Sequence, residues 1–286
     1  MISHLEKKIA LRYLKTRKKD GFLNVISIFS FIGISLGVSV LIIVMSVMNG
    51  FRTELVNKIV GFNPHVIIQS NNAEDELKLI NSSNLKSLIK SYVQTNNGEA
   101  VLINSNITKG LAIRGYEPKD IKKLEIFKDV DFNNEPNFLN NNSIAIGKEL
   151  SFDLNLNIGD NILLMSPVGE ETIIGNLPKQ ENFIVKYIFE SGLIEFDQNV
   201  VFVNIDTLEN FMNFDKSKRN IEIYLNDPIK ISSAKKQFQN LFFNNFVYTW
   251  ADLNRSLFSA LKVERNVMFI ILSLIIIVAA FNIISG

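Results

Sequence analysis

Residues 21 to 50 carry no charged side chain, and seven basic residues crowd the stretch before them: Lys7, Lys8, Arg12, Lys15, Arg17, Lys18 and Lys19. From Val25 to Met48 the chain reads VISIFSFIGISLGVSVLIIVMSVM. At ~1.5 Å per helical residue this run covers about 36 Å, enough to cross a hydrocarbon core of ~30 Å with some tilt. A second uncharged run starts at Asn266 and continues to Gly286. The layout predicts two membrane spans separated by a large polar insert. The first run exceeds the ~7–15 apolar residues of a signal peptide, and Met48-Asn49-Gly50-Phe51-Arg52 offers no small-x-small cleavage pattern.

Orientation follows from the basic residues. Seven precede the first span, and only Arg52 and Lys58 fall shortly after it, so the N-terminus is expected in the cytoplasm and the insert in the periplasm. Lys262 and Arg265, on the outer side of the second run, are outnumbered. The insert of about 215 residues is long enough for one or two small domains with real cores. A net charge of +1, with no basic stripe beyond the N-terminus, argues against a nucleic-acid partner. The chain has no cysteine, hence no disulfide, thiol chemistry or Cys-ligated metal.

The expected division is an amphipathic interfacial helix over 1–20, a first span over 21–48, a periplasmic domain over 49–265 and a second span over 266–286. Ile2, Leu5, Ile9 and Tyr13 recur on one face of the first segment, with lysines and arginines on the other. Helical stalks are expected at 49–61, where Phe51, Leu55 and Ile59 recur, and at 250–265, where Trp250, Leu253, Leu257, Leu261 and Glu264 share a face leading into the second span. Ser30, Gly33 and Gly37 place small residues on one face of the first span, a pattern that lets helices approach closely. Met45, Met48, Phe51 and Leu55 on the first helix, with Phe258, Leu261 and Met268 on the second, lie near the outer leaflet. They form an adaptable apolar set suited to lining a lipid cavity or to facing bulk lipid.

Within the insert, strands are expected at Pro64–Gln69, Val101–Ile107, Leu111–Tyr116, Ser143–Ile146, Asn161–Met165, Phe183–Phe189, Val200–Ile205 and Ile221–Leu225. Helices are expected at Asp75–Val93, Asp206–Phe214 and Pro228–Phe243. Long helices between strand groups predict an α+β domain. The segment from Ser166 to Lys179, within a projecting loop spanning 166–180, exceeds the usual ~2–5 residues of a hairpin loop. It is bracketed by Pro167 and Pro178 and carries Ile173-Ile174. The isoleucines either contact a partner or fold back onto the domain.

No catalytic constellation is evident. His4 and His65 have no ligand-spaced companion, so neither a metal nor another cofactor is expected. Gly147-Lys148 lacks the remainder of a Walker A loop, and no G-x-S-x-G or G-x-G-x-x-G follows a strand.

Several of these segments resemble the lipoprotein-releasing transmembrane subunits of the LolC/LolE type, within the MacB-like ABC permeases. They are the run from Ala10 through Leu55, Asn63-Pro64-His65, Ile144-Ala-Ile-Gly-Lys-Glu-Leu150 with Ile158-Gly-Asp160, and Leu257-Phe258 with Glu264-Arg-Asn and Val278 to Ile283. The resemblance implies a four-span permease with a large periplasmic domain between its first two spans. A separate cytoplasmic ATPase drives it, so no catalysis is expected on this chain. It pairs with a second permease subunit, identical or paralogous, and moves lipoproteins from the inner membrane to a periplasmic carrier. On this reading the chain is a fragment ending inside its second span.

The resemblance further implies that the long loop is a carrier-binding hook comprising Pro167, Thr172, Ile173, Ile174, Gly175, Pro178 and Lys179. This chain departs from the family's hook base in having Glu181 and Asn176 in place of arginine. Lys179 or Lys186 could then serve the carrier contact. Two other readings fit the same layout: a two-span periplasmic receptor, and a related MacB-like efflux or cell-division permease.

Overall fold

The computed structural model describes residues 4–6, 8–9, 21–104, 107–128, 130, 139–140, 142–168, 170–172, 175–228 and 231–285. It divides into two units, one of residues 1–55 with 255–286 and one of residues 56–254. Most of the expected interfacial helix lies outside the described residues, although His4–Glu6 and Lys8–Ile9 are helical.

Helix α1, Gly21–Phe62, is 42 residues long. Among the described residues its Phe31–Phe62 portion is long and apolar enough to cross a membrane. Ile32, Leu36, Val40 and Val47 are each more than half exposed, which suits lipid and not water. Its hydroxyls are satisfied internally: Ser39 donates to the Ser35 carbonyl at 2.8 Å and Ser46 to Ile42 at 2.8 Å. The helix ends before Asn63-Pro64, as proline disfavours the helical conformation in the residue before it.

In the second unit, β1 (Val66–Gln69) leads to α2 (Ala73–Ser82), capped at Asn72. Strand β2 (Ile89–Asn104) follows, then β3 (Ile107–Tyr116), β4 (Ser143–Gly147), α3 (Lys148–Leu154) and β5 (Asn161–Met165). Next come β6 (Glu170–Thr172), β7 (Gly175–Leu177), β8 (Gln180–Phe189), α4 (Ile194–Asn199) and β9 (Val200–Asn204). Helix α5 (Ile205–Met212), β10 (Asn220–Leu225), α6 (Ile231–Leu241) and β11 (Phe246–Thr249) complete the unit. The nine-stranded sheet runs β11-β1-β10-β2-β3-β9-β4-β8-β5, and β5 pairs back onto β2.

The long strand β2 organises this sheet. Its first half pairs with β10, its last residues pair with β5, and β3 runs along it from Thr95 to Asn104. Strands β2, β3, β9, β4, β8 and β5 therefore close into a barrel, and β10, β1 and β11 form a wing. Closure removes the edges that an open sheet would expose. Inward-facing residues recur with period two and fill the barrel: Leu102, Ile113, Ile144, Ile146, Phe183 and Val203, each fully buried. Leu208, Phe211 and Met212 of α5 join this core, with the Phe183 and Phe211 rings 5.6 Å apart. A Cβ on Gly115 would lie 2.8 Å from Leu208, so glycine there lets α5 rest on β3.

A second cluster, Phe127, Phe189 and Phe202 with Tyr116 and Leu139, is also buried. Its rings meet edge to face at 5.1 Å for Phe127–Phe202 and Phe189–Phe202. Arg219 ties α5 to the start of β10 through Glu209 at 2.6 and 2.8 Å and reaches Glu117 at 2.8 Å.

Three expectations are corrected. The helix expected at Asp75–Val93 stops at Ser82, because Ser83 accepts a hydrogen bond from the Leu85 N–H and opens a 3-10 turn. Its last residues belong to β2, which starts at Ile89, twelve residues ahead of the strand expected from Val101, and ends at Asn104. The second stalk does not run uninterrupted. Trp250–Leu253 is a short helix with a Thr249–Asp252 capping box, Asn254 leaves helical geometry at φ −106° and ψ 32°, and a new helix, α7, spans Arg255–Ser285.

Candidate functional site

The first unit holds a seam between α1 and α7. Met45, Met48, Asn49 and Arg52 meet Leu261, Glu264, Arg265 and Met268. Spacings of three and four residues put each set on one helix face. The free space is only about 30 Å³, room for a water molecule and not for a ligand. Four of the seven residues expected in a cavity are thus brought together. Phe51 is exposed, Leu55 and Phe258 are half-buried, and none of these three lines the seam. In the sequence the charged members Arg52, Glu264 and Arg265 stand out as topology signals, as part of an amphipathic face or within a family motif, and not as seam residues, although their i+7, i+3 and i+4 relations to Met45 and Leu261 are readable.

A larger groove lies deeper along the same helices. Gly33, Ile34 and Gly37 of α1 face Ile271, Leu274, Ile275 and Val278 of α7 around about 430 Å³ of apolar space. Gly33 and Gly37 are not pressed against a helix: a Cβ built on either meets no heavy atom within 4 Å. The expected packing face is therefore a groove wall, held open by the large side chains of α7 opposite it. The side chain of Ser30 lies outside the described residues.

In the second unit, the long loop is itself a hairpin. Strands β5 and β8 pair from Asn161–Ile184 to Met165–Gln180, and the Ser166 N–H extends the ladder to the Lys179 carbonyl at 2.8 Å. Exposed Pro167 and Pro178, lacking N–H groups, stop the ladder at that point. A second ladder then pairs Glu170 with Leu177 and Thr172 with Gly175. Ile173 and Ile174, the expected tip, lie outside the described residues. Val168 and Leu177 are 49% and 52% exposed. Lys179 donates to the Asn210 carbonyl at 2.9 Å and so fastens the arm's base to α5, while Lys186 is exposed. Glu181 accepts from Asn142 at 3.0 Å.

The Asn63-Pro64-His65 motif joins α1 to the sheet. The Leu225 N–H donates to His65 Nδ1 at 2.7 Å, which places the ring proton on Nε2, 3.2 Å from the Val60 carbonyl. Burial lowers the pKa of this ring below its ordinary 6.5, Lys90 adds to the shift, and the Val60 carbonyl opposes it. Arg114 donates to Asn63 Oδ1 at 3.2 Å and lies 5.2 Å over the Phe196 ring, which also packs 4.4 Å from Phe62. The motif is structural. Among the described residues no group of three or more His, Asp or Glu is placed to hold a metal.

An apolar helix leading into an α+β domain is the architecture of a MacB-like membrane protein. Residues 27–241 match the family model of the MacB-like periplasmic core domain. The chain is 31% identical over 291 residues to the lipoprotein-releasing system transmembrane protein LolC of Neisseria meningitidis serogroup B, covering 99% of this chain and 69% of that protein. It is 30% identical to LolC of Buchnera aphidicola subsp. Schizaphis graminum, covering 96% and 69%. It is also 26% identical to the transmembrane protein LolE of Haemophilus influenzae, covering 97% and 68%. The chain belongs to the family of lipoprotein-releasing system transmembrane proteins.

Proposed function

We propose that this chain is the transmembrane subunit of an ABC transporter that releases outer-membrane-directed lipoproteins from the inner membrane and passes them to a periplasmic carrier. The observation that carries the reading is its similarity, at 31% identity over 99% of its length, to a lipoprotein-releasing protein. A cytoplasmic ATPase powers the transporter, and a second permease subunit, a copy or a paralogue, completes it. The N-terminus is cytoplasmic, the second unit is periplasmic, and the apolar half of α7 is a second span.

The geometry supports a division of labour. The groove at Gly33, Gly37 and Ile275 is apolar and roomy enough for acyl chains. From Gly37 to Met48 the helix rises about 16 Å toward its outer end. A lipid anchor with its chains in the groove then sets its polar head near Asn49, Arg52 and Arg265, where arginine can reach the interface. The methionine seam is closed at about 30 Å³ and must part to admit the anchor, a movement that flexible methionines tolerate. The hairpin arm, fixed at its base by Lys179 and apolar at Val168 and Leu177, offers the carrier a projecting contact.

The test is reconstitution. Proteoliposomes holding the full permease, its ATPase and a tri-acylated lipoprotein are mixed with soluble carrier. ATP-dependent transfer of lipoprotein to the carrier is expected. Hydrolysis without transfer for any lipoprotein tried contradicts the proposal.

A further inference from the structure

We propose that a cleft of about 370 Å³ beside the wing of the sheet is a binding site for a neutral saccharide. The volume falls among small-molecule pockets, about 300–1,000 Å³. The cleft lies where β1 ends at Gln69, β2 passes through Asn96 and Asn97, and β11 begins at Phe246.

Its lining is made of carboxamides. Gln69, Asn71, Asn220 and Asn244 line it, and no side chain of the four makes a hydrogen bond among the described residues. Ser70 lines it too; it is 4% exposed, and its hydroxyl has no partner among the described residues. Asp215 and Lys218 also contribute, and their formal charges cancel. Asp215 Oδ1 accepts from the Ser217 N–H at 2.9 Å and from the Ser217 hydroxyl at 2.8 Å. A phosphate or carboxylate therefore finds no surplus of positive charge here.

Two rings complete the cleft, Phe214 and Phe246. Phe246 is 68% exposed, and its ring lies within 18° of parallel to that of exposed Tyr248. A large ring left in water beside unpartnered amides suits a ligand with one apolar face and a hydroxylated rim. A pyranose has both: its C–H face covers a phenyl ring, and each hydroxyl donates and accepts, as a carboxamide does.

An extended peptide is the rival ligand, and the main chain of β1 offers it little. Peptides are held chiefly through main-chain hydrogen bonds. Here β1 is paired on both sides, by β10 and β11. The Asn71 N–H already donates to Glu76 at 3.1 Å, and the Gln69 carbonyl accepts from Asn245 at 3.1 Å. At β1, side chains and not backbone remain to meet a ligand; β11 is the terminal strand of the sheet, and a peptide probe reads strand addition at its outer edge.

Saturation-transfer NMR on the full chain in lipid nanodiscs, free of sugar-headed detergent, tests this. The probes are N-acetylglucosamine trimer, maltotriose and an uncharged serine- and glycine-rich pentapeptide. At least one saccharide is expected to bind with a Kd of about 1 mM or tighter. Phe246→Ala and Asn244→Ala should each weaken it roughly tenfold without changing the melting temperature, both residues being exposed. Phe152→Ala, a control at a residue outside the cleft lining, should leave binding unchanged. Silence from both saccharides, binding indifferent to Phe246→Ala and Asn244→Ala, or binding of the peptide alone overturns the proposal.

Discussion

His65 shows how one residue can look functional in the sequence and be structural in the fold. It is one of two histidines, it follows a proline at a strand start, and its ring is consumed in splicing α1 to β10. The splice makes a prediction with a sign. Because the folded ring has a lowered pKa, its contribution is fully present above 6.5 and is lost as pH falls through the folded value. Buried Glu222 acts in the opposite sense. Burial first, against the opposing pull of Arg114, raises its carboxyl above 4.5, so its contribution is present below 4.5 and is lost as pH rises through the raised value. His65→Asn, which keeps an acceptor for the Leu225 N–H, isolates the first effect. The melting-temperature gap between the natural chain and this variant should shrink from about pH 7.5 to about pH 5.5. A gap independent of pH contradicts the assignment. Arg219 offers a second residue-level test. Arg219→Met strands Glu209, which is 2% exposed, and should cost about 2–4 kcal/mol, less than a fully buried pair because Arg219 retains some contact with water. Denaturant unfolding of the chain in detergent measures this. Lys148→Met, at an exposed pair, should change nothing measurable.

Among the elements, strands were more legible than their partners. Runs such as Ser143–Ile146 and Val200–Ile205 read as strands because Ile144–Ile146 and Val200–Val203 are uninterrupted hydrophobic stretches, and the fold buries both throughout. The first half of strand β2 was hidden because Ile89–Val93 continues the helical pattern begun at Asp75, and Asn96-Asn97-Gly98 has the composition of a turn. Tertiary pairing to β3 overrides it, helped by the Thr95 hydroxyl donating to the Gly115 carbonyl at 2.9 Å and by Asn96 donating to Glu209 at 2.8 Å. Barrel closure was not legible either, since a strand's second neighbour leaves no local mark. The candidate site was readable as far as depth in the helices and side-chain chemistry carried it. Met45, Met48, Leu261 and Met268 were legible from their depth along the two helices and their apolar chemistry, whereas the groove was missed because Gly33 and Gly37 suggest contact as readily as space. The hairpin arm yields the element-level prediction. Ile173→Asp with Ile174→Asp should abolish binding of the purified carrier, through loss of about 1.5–3 kcal/mol per buried side chain plus carboxylate desolvation. The melting temperature should hold. A large drop in melting temperature would instead mean that the isoleucines pack into the domain.

For the whole molecule, the proposed function requires one orientation and one path for the lipid anchor. The chain has no cysteine, so single cysteines report cleanly. Cysteines at Lys8 and Lys186 should label from opposite faces of the inner membrane, the first only after permeabilisation; labelling of both from one side contradicts the topology. The path is tested most directly by photo-crosslinking in the complete transporter. A photoreactive residue in place of Ile275, on the groove wall, should trap a lipoprotein through its acyl chains, and ATP with carrier should discharge the adduct. Phe269, 67% exposed and absent from the groove lining, should trap only phospholipid. If Ile275 traps only phospholipid as Phe269 does, with or without ATP, the groove between α1 and α7 does not receive the lipoprotein and the central claim fails.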